Sequence, residues 1–368
     1  MPARSSQPGR APTRRATRPT ILDVARRAGV SLGTVSNVLN GRGNVSARRQ
    51  SQVEEAIESL GYVPNGLAQS LRRQRSRVIG VCLPLGSNAY FAALLDAFEN
   101  IAAAQGYELM QVLSRADPAL EQRRIRALIA RQVDGLIVVP CADSAATFDL
   151  IANARVPAVM VDRASADVRF DYVTVDDRGA MAAAAGALLR AGHRRLMLVV
   201  RNPRLVTTRE RIRGFREAAA AVRGARAELM VRDPDETAFE RQLRDAFASP
   251  ERPTAIVASN SDIALALLRT LRSLGIRCPE DVSLISFDAP AWAEVLTPPL
   301  SVMRPPTTAL ADRAWQVLVD RMQHRGGRPQ RIVLDAQLEL RASVAPPARA
   351  KAGIRRRSAR TPSRQPKR

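Results

Sequence analysis

Apolar residues recur at the spacing of an α-helix in three short stretches between residues 20 and 62. The first stretch follows Thr20, a residue that can cap a helix, and it stops at Gly29. The second begins after Ser31 and the third after Ser46, and both serines are good N-cap residues. The pattern therefore predicts three short helices, of which the first two are joined by a tight turn.

From Val78 onward the pattern changes to short apolar runs that alternate with amphipathic helical stretches. Ten such runs, from VIGVCL at residue 78 to LSVM at residue 300, have the character of buried strands. Nearly continuous apolar strands that alternate with helices are typical of parallel sheets covered on both faces. Ten strands with their helices are more than a single hydrophobic core usually holds. We therefore expect an α/β body of two doubly wound parallel-sheet lobes.

The charge distribution shows two basic tails and a basic N-terminal region. The chain has 57 Lys and Arg against 35 Asp and Glu, a net charge of +22. Residues 1–19 and 346–368 are rich in Arg, Pro, Ser and Ala and contain no acidic residue. We expect both tails to be disordered, because they cannot bury enough apolar surface to fold. A positive field of this size predicts an anionic partner such as nucleic acid.

Several classes of protein fit the composition poorly. Three scattered cysteines imply no disulfide framework, and no apolar stretch reaches the roughly 18 residues of a membrane span. The N-terminus lacks the apolar segment of a secretory signal, so we expect a cytoplasmic, nucleoid-associated protein without a membrane partner. With two histidines and no metal-ligand spacing, nucleophile elbow or P-loop, we expect no enzyme, metal or cofactor.

Residues 20–40 contain the features that favour DNA binding. A helix, a glycine-containing turn and a second helix with small polar residues at its start form the layout of a helix-turn-helix. Gly29 is expected because the two helices must cross closely. The hydroxyls of Thr34 and Ser36 are short enough to reach phosphates from a helix in the major groove. The residues alone leave an ordinary helical hairpin as the alternative.

The stretch TILDVARRAGVS, with TVS and VLNG after it and AIESLGYVPNGLAQSL further on, resembles the LacI (lactose repressor) family of bacterial transcription regulators. The likeness continues through VDGLIVV, GHRRLMLV and TTRERIRGFREA and covers roughly residues 20–344. It implies a homodimeric repressor of a palindromic double-stranded operator. Its body would be similar to periplasmic sugar-binding proteins and would close on a small effector. The predicted domains are the tail 1–19, the helix-turn-helix domain 20–64, the hinge helix and linker 65–77, the effector-binding and dimerisation body 78–345 and the tail 346–368.

The resemblance also assigns roles within the N-terminal DNA-binding region, residues 20–77. Leu32, Gly33 and Asn37 fall where family members vary to select their operator. Asn pairs best with adenine, and contact with phosphate or water is the alternative for Asn37. Leu71 matches the position that wedges into the minor groove, with helix packing as its alternative. The candidate DNA-binding residues are Thr20, Ser31, Leu32, Gly33, Thr34, Ser36, Asn37, Asn40, Asn65 and Leu71.

Polar residues stand directly after several predicted strands, where open α/β sheets bind ligands. By resemblance, Arg211, Asn260 and Asp288 match effector-contacting positions of the family, and Asp162 is a fourth candidate. Such groups suit a sugar or sugar derivative, because each can make two hydrogen bonds to neighbouring hydroxyls. The candidate effector-binding residues are Tyr90, Phe91, Asp162, Arg211, Asn260, Asp288 and Trp292.

Alternatives remain for individual residues and for the function. Asp162 has a structural role as its alternative, and Tyr90 and Phe91 have burial in the core. Trp292, expected in a loop, is the strongest candidate for an apolar wall. For the whole chain the alternatives are a periplasmic-type solute-binding protein, an effector-independent DNA-binding protein, and an activator rather than a repressor. The predicted DNA-binding region argues against a periplasmic-type solute-binding protein.

Overall fold

The computed structural model describes residues 19–39, 43, 45–62, 76–324 and 326–347. The chain divides into two compact units, Met1–Ser76 and Arg77–Arg368. Most of both predicted tails and of the hinge segment lie outside the described residues. So do three candidate DNA-binding residues, Asn40, Asn65 and Leu71.

The first unit contains the three predicted helices: α1 (Ile21–Ala28), α2 (Leu32–Leu39) and α3 (Ala47–Leu60). A capping box fixes the start of α1, because the Thr20 backbone N–H donates to Asp23 Oδ2 at 2.8 Å while Asp23 N–H donates to Thr20 Oγ1. Ser31 caps α2 by accepting from Thr34 N–H at 3.2 Å. Val24, Val35 and other apolar side chains of the three helices form a small core.

Gly29 ends α1 for a different reason from the one expected. A Cβ at this position would meet no atom within 4 Å, so close crossing of the helices does not require glycine here. The backbone instead adopts the left-handed conformation, with φ of 65°. Glycine reaches that region without the steric cost that other residues incur.

The second unit is built from strands and helices in alternation. Its described strands are β1 (Val78–Leu83), β2 (Glu108–Leu113), β3 (Gly135–Val138), β4 (Ala158–Asp162), β5 (Asp171–Val175), β6 (Arg195–Val200), β7 (Arg226–Val231), β8 (Ala255–Ala258), β9 (Ser283–Phe287), β10 (Ser301–Arg304), β11 (Arg331–Leu334) and β12 (Gln337–Glu339). Its described helices are α4 (Ala89–Ala104), α5 (Pro118–Ala130), α6 (Ala145–Ala154), α7 (Asp177–Arg190), α8 (Val206–Ala220), α9 (Glu236–Ala248), α10 (Ser261–Ser273), α11 (Trp292–Val295) and α12 (Thr307–Gln323).

These strands form two six-stranded sheets, as the pattern predicted for two lobes. The sheet of the N-terminal lobe has the order β11-β5-β4-β3-β1-β2, and that of the C-terminal lobe β12-β10-β9-β8-β6-β7. Apolar clusters cover both faces of each sheet. In both sheets the order reverses where β1 meets β3 or β6 meets β8, the topological switch point at which such sheets bind ligands.

All ten predicted strands are present, and two further strands were missed. β11 and β12 are short and partly exposed, so they lack the continuous apolar run by which the others were found. β12 also pairs antiparallel with β10, which departs from the expected all-parallel arrangement. The chain therefore passes between the lobes three times, after β5, after β10 and between β11 and β12.

Substitution of Gly214 on α8 tests the packing of α8 against α7 in the C-terminal lobe. A Cβ at Gly214 would overlap the carbonyl oxygen of Arg178 in α7, so Gly214→Ala forces the two helices apart. We expect a loss of about 1–3 kcal/mol in the free energy of unfolding, measured by urea denaturation. The control is Gly186→Ala in α7, which meets only the flexible end of Arg190 at 3.2 Å. It should be neutral or stabilising by up to about 1 kcal/mol, and equal losses would contradict this account.

Candidate functional site

The second helix of the first unit presents one face to solvent. Val35 is fully buried on the inner face of α2, whereas Ser31, Leu32, Gly33 and Asn37 are exposed. The exposed fraction of Leu32 is 40%, which is high for a leucine outside an interface. This exposed face is the one that a recognition helix would turn toward the edges of bases.

The hydroxyl groups at the helix starts already have partners. Thr20 Oγ1 donates to Asp23 Oδ2 at 2.7 Å. Ser31 Oγ lies 2.9 Å from Thr34 Oγ1. Ser36 is partly buried, and it too has a partner in the structure. Phosphate contacts from Thr20 and Ser31 would therefore have to share or replace existing hydrogen bonds, whereas Asn37 is exposed.

A cleft of about 310 Å³ lies between the two lobes of the second unit, at the carboxyl ends of the parallel strands. It brings together six of the seven candidate effector-binding residues from both lobes. Those six are Tyr90, Phe91, Asp162, Arg211, Asn260 and Asp288.

Trp292 is the exception, and two expectations about it were wrong. It begins the short helix α11 rather than lying in a loop, and it does not line the cleft. Its ring is partly buried against the apolar cluster of the C-terminal lobe, so its energetic role is packing. The apolar part of the cleft is formed instead by Pro84, Leu85 and Leu205, together with Tyr90 and Phe91.

Arg211 is held rigidly at the side of the cleft. Its Nε donates to Asp177 Oδ1 at 2.6 Å, and Nη1 donates to the carbonyl oxygen of Ser259. The guanidinium carbon lies 3.5 Å from the ring centroid of Phe287, which is cation–π geometry. With the Arg211 side chain only 13% exposed and that of Asp177 5% exposed, solvent screens this ion pair weakly.

Asp162 ends β4 and Asp288 directly follows β9, and both have left-handed backbones, with φ of 68° and 69°. Aspartate tolerates this region better than most residues, but it still stores strain that persists where surrounding structure fixes it. Asp162 Oδ1 accepts a hydrogen bond from Tyr90 Oη at 2.8 Å, and Asp288 Oδ2 accepts from Ser261 N–H at 3.1 Å. Each carboxylate is thus oriented while retaining further acceptor capacity for a ligand.

A direct hydrogen bond joins the two lobes beside these residues. Asn88 Nδ2, from the N-terminal lobe, donates to Asp262 Oδ2 of the C-terminal lobe at 3.0 Å. Asn260 uses Oδ1 to cap α10 by accepting from Ile263 N–H at 2.9 Å, which leaves its amide NH₂ for a ligand. Asn88, Asp177 and Asp262 were not among the residues expected in this site. Asp177 follows β5 just as Asp162 ends β4, so the same strand-end signal marked it.

Burial sets the protonation of the carboxyl groups in the cleft. It raises the pKa of Asp177 to about 7, although the neighbouring Arg211 acts in the opposite direction. Burial likewise raises the pKa of Asp288 to about 6, again against Arg211, and it holds the pKa of Tyr90 well above its usual value. The charge of the cleft therefore changes close to neutral pH.

Asp177→Asn should remove a pH-dependent contribution to stability. The unfolded state releases the Asp177 proton near pH 4, whereas the folded state keeps it to about pH 7. This carboxyl therefore makes the free energy of unfolding fall as pH rises between those values. Urea denaturation from pH 5 to 8 should show the wild type losing stability relative to Asp177→Asn. Asp245→Asn, at an exposed carboxylate of α9, is the control, and a pH-independent difference for Asp177→Asn would refute the assignment.

Comparison with known proteins agrees with this architecture. The model for bacterial regulatory proteins of the lacI family matches residues 20–65, and the model for a periplasmic binding protein-like domain matches residues 185–344. The transcriptional repressor PurR of Aliivibrio fischeri (strain MJ11) is 30% identical over 331 residues, covering 88% of this chain and 98% of the relative.

Two solved structures are similar over most of the chain. The transcriptional regulator CelR in complex with cellobiose is 28% identical with a TM-score of 0.66, covering 89% of this chain and all of that one. The lac repressor dimer bound to operator and the anti-inducer ONPF has the same coverage, 24% identity and a TM-score of 0.79, a likeness of fold.

These matches confirm the family resemblance, the fold class and the prediction of a DNA-binding transcriptional regulator. The described helices include none that is long and apolar enough to cross a membrane. His193 has a structural role, because its two ring nitrogens lie 3.0 Å from Thr254 Oγ1 and 2.9 Å from the carbonyl oxygen of Ala345. The chain belongs to the lacI family of bacterial regulatory proteins.

Proposed function

We propose that this protein represses transcription as a homodimer on a palindromic operator, and that a sugar or sugar derivative in the interlobe cleft controls its affinity for DNA. The observation that carries the proposal is the convergence of six candidate side chains on one cleft in a chain of the lacI family. Relatives support each part: the lac repressor was solved as a dimer on operator, and CelR with cellobiose.

The chemistry of the cleft supports a ligand rich in hydroxyl groups. Asp162 and Asp288 offer carboxylate oxygens, Asn260 offers an amide NH₂, and Arg211 is fixed beside them. Neighbouring hydroxyls of a sugar can donate to the carboxylates and accept from the amide at once. The rings of Tyr90 and Phe91 provide an apolar surface for the carbon face of a sugar ring.

Control by such a ligand follows from its contacts with both lobes. Because the chain passes between the lobes three times, a ligand that touches both favours one arrangement of the lobes over others. The hydrogen bond from Asn88 to Asp262 contributes to the same arrangement. We include in the proposal a cytoplasmic, nucleoid-associated location and the absence of enzymatic activity, which the naming of the relatives as regulators supports.

We propose that the candidate DNA-binding residues given above contact the operator. Substitution of Asn37 tests this assignment. Asn37→Ala should weaken binding to the operator by about 1–3 kcal/mol and relax the preference at one base pair in each half-site. Gel shifts on operator and random DNA measure both effects. Asn100→Ala, which removes an exposed amide in α4, is the control. An equal loss on random DNA would mean that Asn37 contacts the backbone rather than a base.

Asp288→Asn is the sharper test of the effector site. Removing Arg211 would leave Asp177 buried without its partner, at a cost of about 3–5 kcal/mol, and would confuse binding with folding. Asparagine in place of Asp288 keeps an acceptor for Ser261 N–H, so the fold should persist. In a thermal-shift screen of sugars, a ligand at a hundred times its Kd stabilises the wild type by about 2.7 kcal/mol.

Asp288→Asn should lose most of that stabilisation and retain its operator affinity without effector. Asp245→Asn should respond like the wild type. If Asp288→Asn kept the full response to the ligand, Asp288 would not belong to the effector site. If it lost operator affinity instead, the two functions would not be separable.

A further inference from the structure

A second and larger cleft adjoins the effector cleft. It has a volume of about 850 Å³, and it shares Arg163 and Leu205 with the effector cleft. Its walls come from the segments after β3 and β4 in the N-terminal lobe and from the start of α8 in the C-terminal lobe. We call it the basic annexe, and its charged lining residues are Asp143, Arg163, Asp167, Arg204, Arg209 and Arg331.

The annexe is positively charged, with four arginines against two aspartates. Asp167 is already neutralised by Arg169, whose Nη2 lies 2.6 Å from Asp167 Oδ2. Arg204 and Arg209 are exposed, and neither makes an ion pair with any residue that the structure describes. Their positive charge is therefore available to an anionic ligand.

The start of α8 adds backbone donors to these charges. The helix begins at Val206, and no side chain caps it. The N–H groups of its first turn have no partner within the helix, and the helix dipole makes this end positive. Val206 lines the annexe, whereas Thr207 and Thr208 line the adjoining cleft, so these donors lie where the two meet. A helix start of this kind favours an anion.

Arg163 adds a fixed positive charge where the two clefts meet. The residue is only 8% exposed and lines both clefts. Its Nη1 donates to the carbonyl oxygen of Pro140 at 3.0 Å, but its buried Nε has no hydrogen-bond partner. The nearest carboxylate oxygen, Asp162 Oδ2, is 3.7 Å away, too far for a hydrogen bond. Because Nε is itself buried, Arg163 would meet a ligand through the part of its guanidinium group that lines the clefts.

The wall opposite α8 is fixed before any ligand arrives. The buried carboxylate of Glu121 accepts from Cys141 N–H at 2.7 Å and from Ser144 Oγ at 2.6 Å. These bonds hold the segment after β3, whose Pro140 carbonyl in turn orients Arg163. Such preorganisation reduces the entropy lost when a ligand binds.

We propose that the effector carries an oxyanion, a phosphate ester or a carboxylate, which binds in the basic annexe while its hydroxyl-bearing part occupies the adjoining cleft. The oxyanion accepts hydrogen bonds from the first turn of α8 and pairs with Arg163, Arg204 and Arg209. This inference rests on the proposed function, and it narrows the effector from sugars in general to acidic sugar derivatives.

The test uses the full chain and inorganic phosphate as the probe, titrated by calorimetry at constant ionic strength. The double variant Arg204→Gln/Arg209→Gln removes the two exposed annexe charges. Arg216→Gln removes an exposed charge from the same helix away from the annexe and is the matched control. The arginines of the chain termini are common to all three proteins, so they cannot produce a difference between them.

Wild type and Arg216→Gln should bind phosphate alike, and the double variant should bind at least about tenfold more weakly, as expected for lost charge-assisted hydrogen bonds. No saturable binding to the wild type, or equal binding to the double variant, would overturn the inference. Acetate in place of phosphate distinguishes the two sources: tighter phosphate binding indicates a phosphate ester, and tighter acetate binding a carboxylate. Operator binding by gel shift reports on the proposed function separately, because neither substitution touches the first unit.

Discussion

Taking a guanidinium out of water costs several kcal/mol unless its charge and N–H groups are matched, and Arg211 is in that position. Its partners come from three elements: Asp177 from α7, the Ser259 carbonyl after β8, and the Phe287 ring at the end of β9. Gly214, one turn further along α8, lets this helix press against the backbone of α7 beside Asp177. Close packing of α7 against α8 and the buried ion pair between Asp177 and Arg211 therefore lie side by side at the same helix contact.

The rest of the cleft follows from that fixed charge. Burial alone would keep Asp177 and Asp288 protonated, and Arg211 opposes this, so their pKa values fall near neutrality. Carboxyl groups poised in this way can donate or accept a hydrogen bond at little cost, which suits recognition of hydroxyl groups. A ligand that binds in this cleft would also change the equilibrium between arrangements of the two lobes, because the Asn88–Asp262 hydrogen bond that joins them lies beside the same cleft.

Features set by local chemistry were predictable from the sequence, and features set by distant contacts were not. The Thr20 cap and the glycine that ends α1 act over a few residues, so the helices were predictable from local pattern. The ten strands were predictable because each is a short apolar run. β11 and β12 owe their place to neighbouring strands, and their short, half-exposed segments contain no such signal. Asp162, Asn260 and Asp288 were predicted from strand ends and Arg211 from the family resemblance, but neither signal decides which way the Trp292 side chain packs.

The distribution of charge along the joined clefts has a consequence for ligand orientation. Asp162, Asp262 and Asp288 line the effector cleft together with Arg115, Arg163, Arg201 and Arg211, whereas Arg204 and Arg209 line the annexe. Carboxylate oxygens accept hydrogen bonds from hydroxyl groups but repel an oxyanion at contact distance, while the same oxyanion in the annexe meets Arg204, Arg209 and the positive end of α8. This placement favours the orientation in which the hydroxyl groups of an acidic ligand face the carboxylates and its oxyanion lies in the annexe. A neutral sugar lacks the attraction in the annexe, so charge placement contributes to selectivity between the two kinds of ligand.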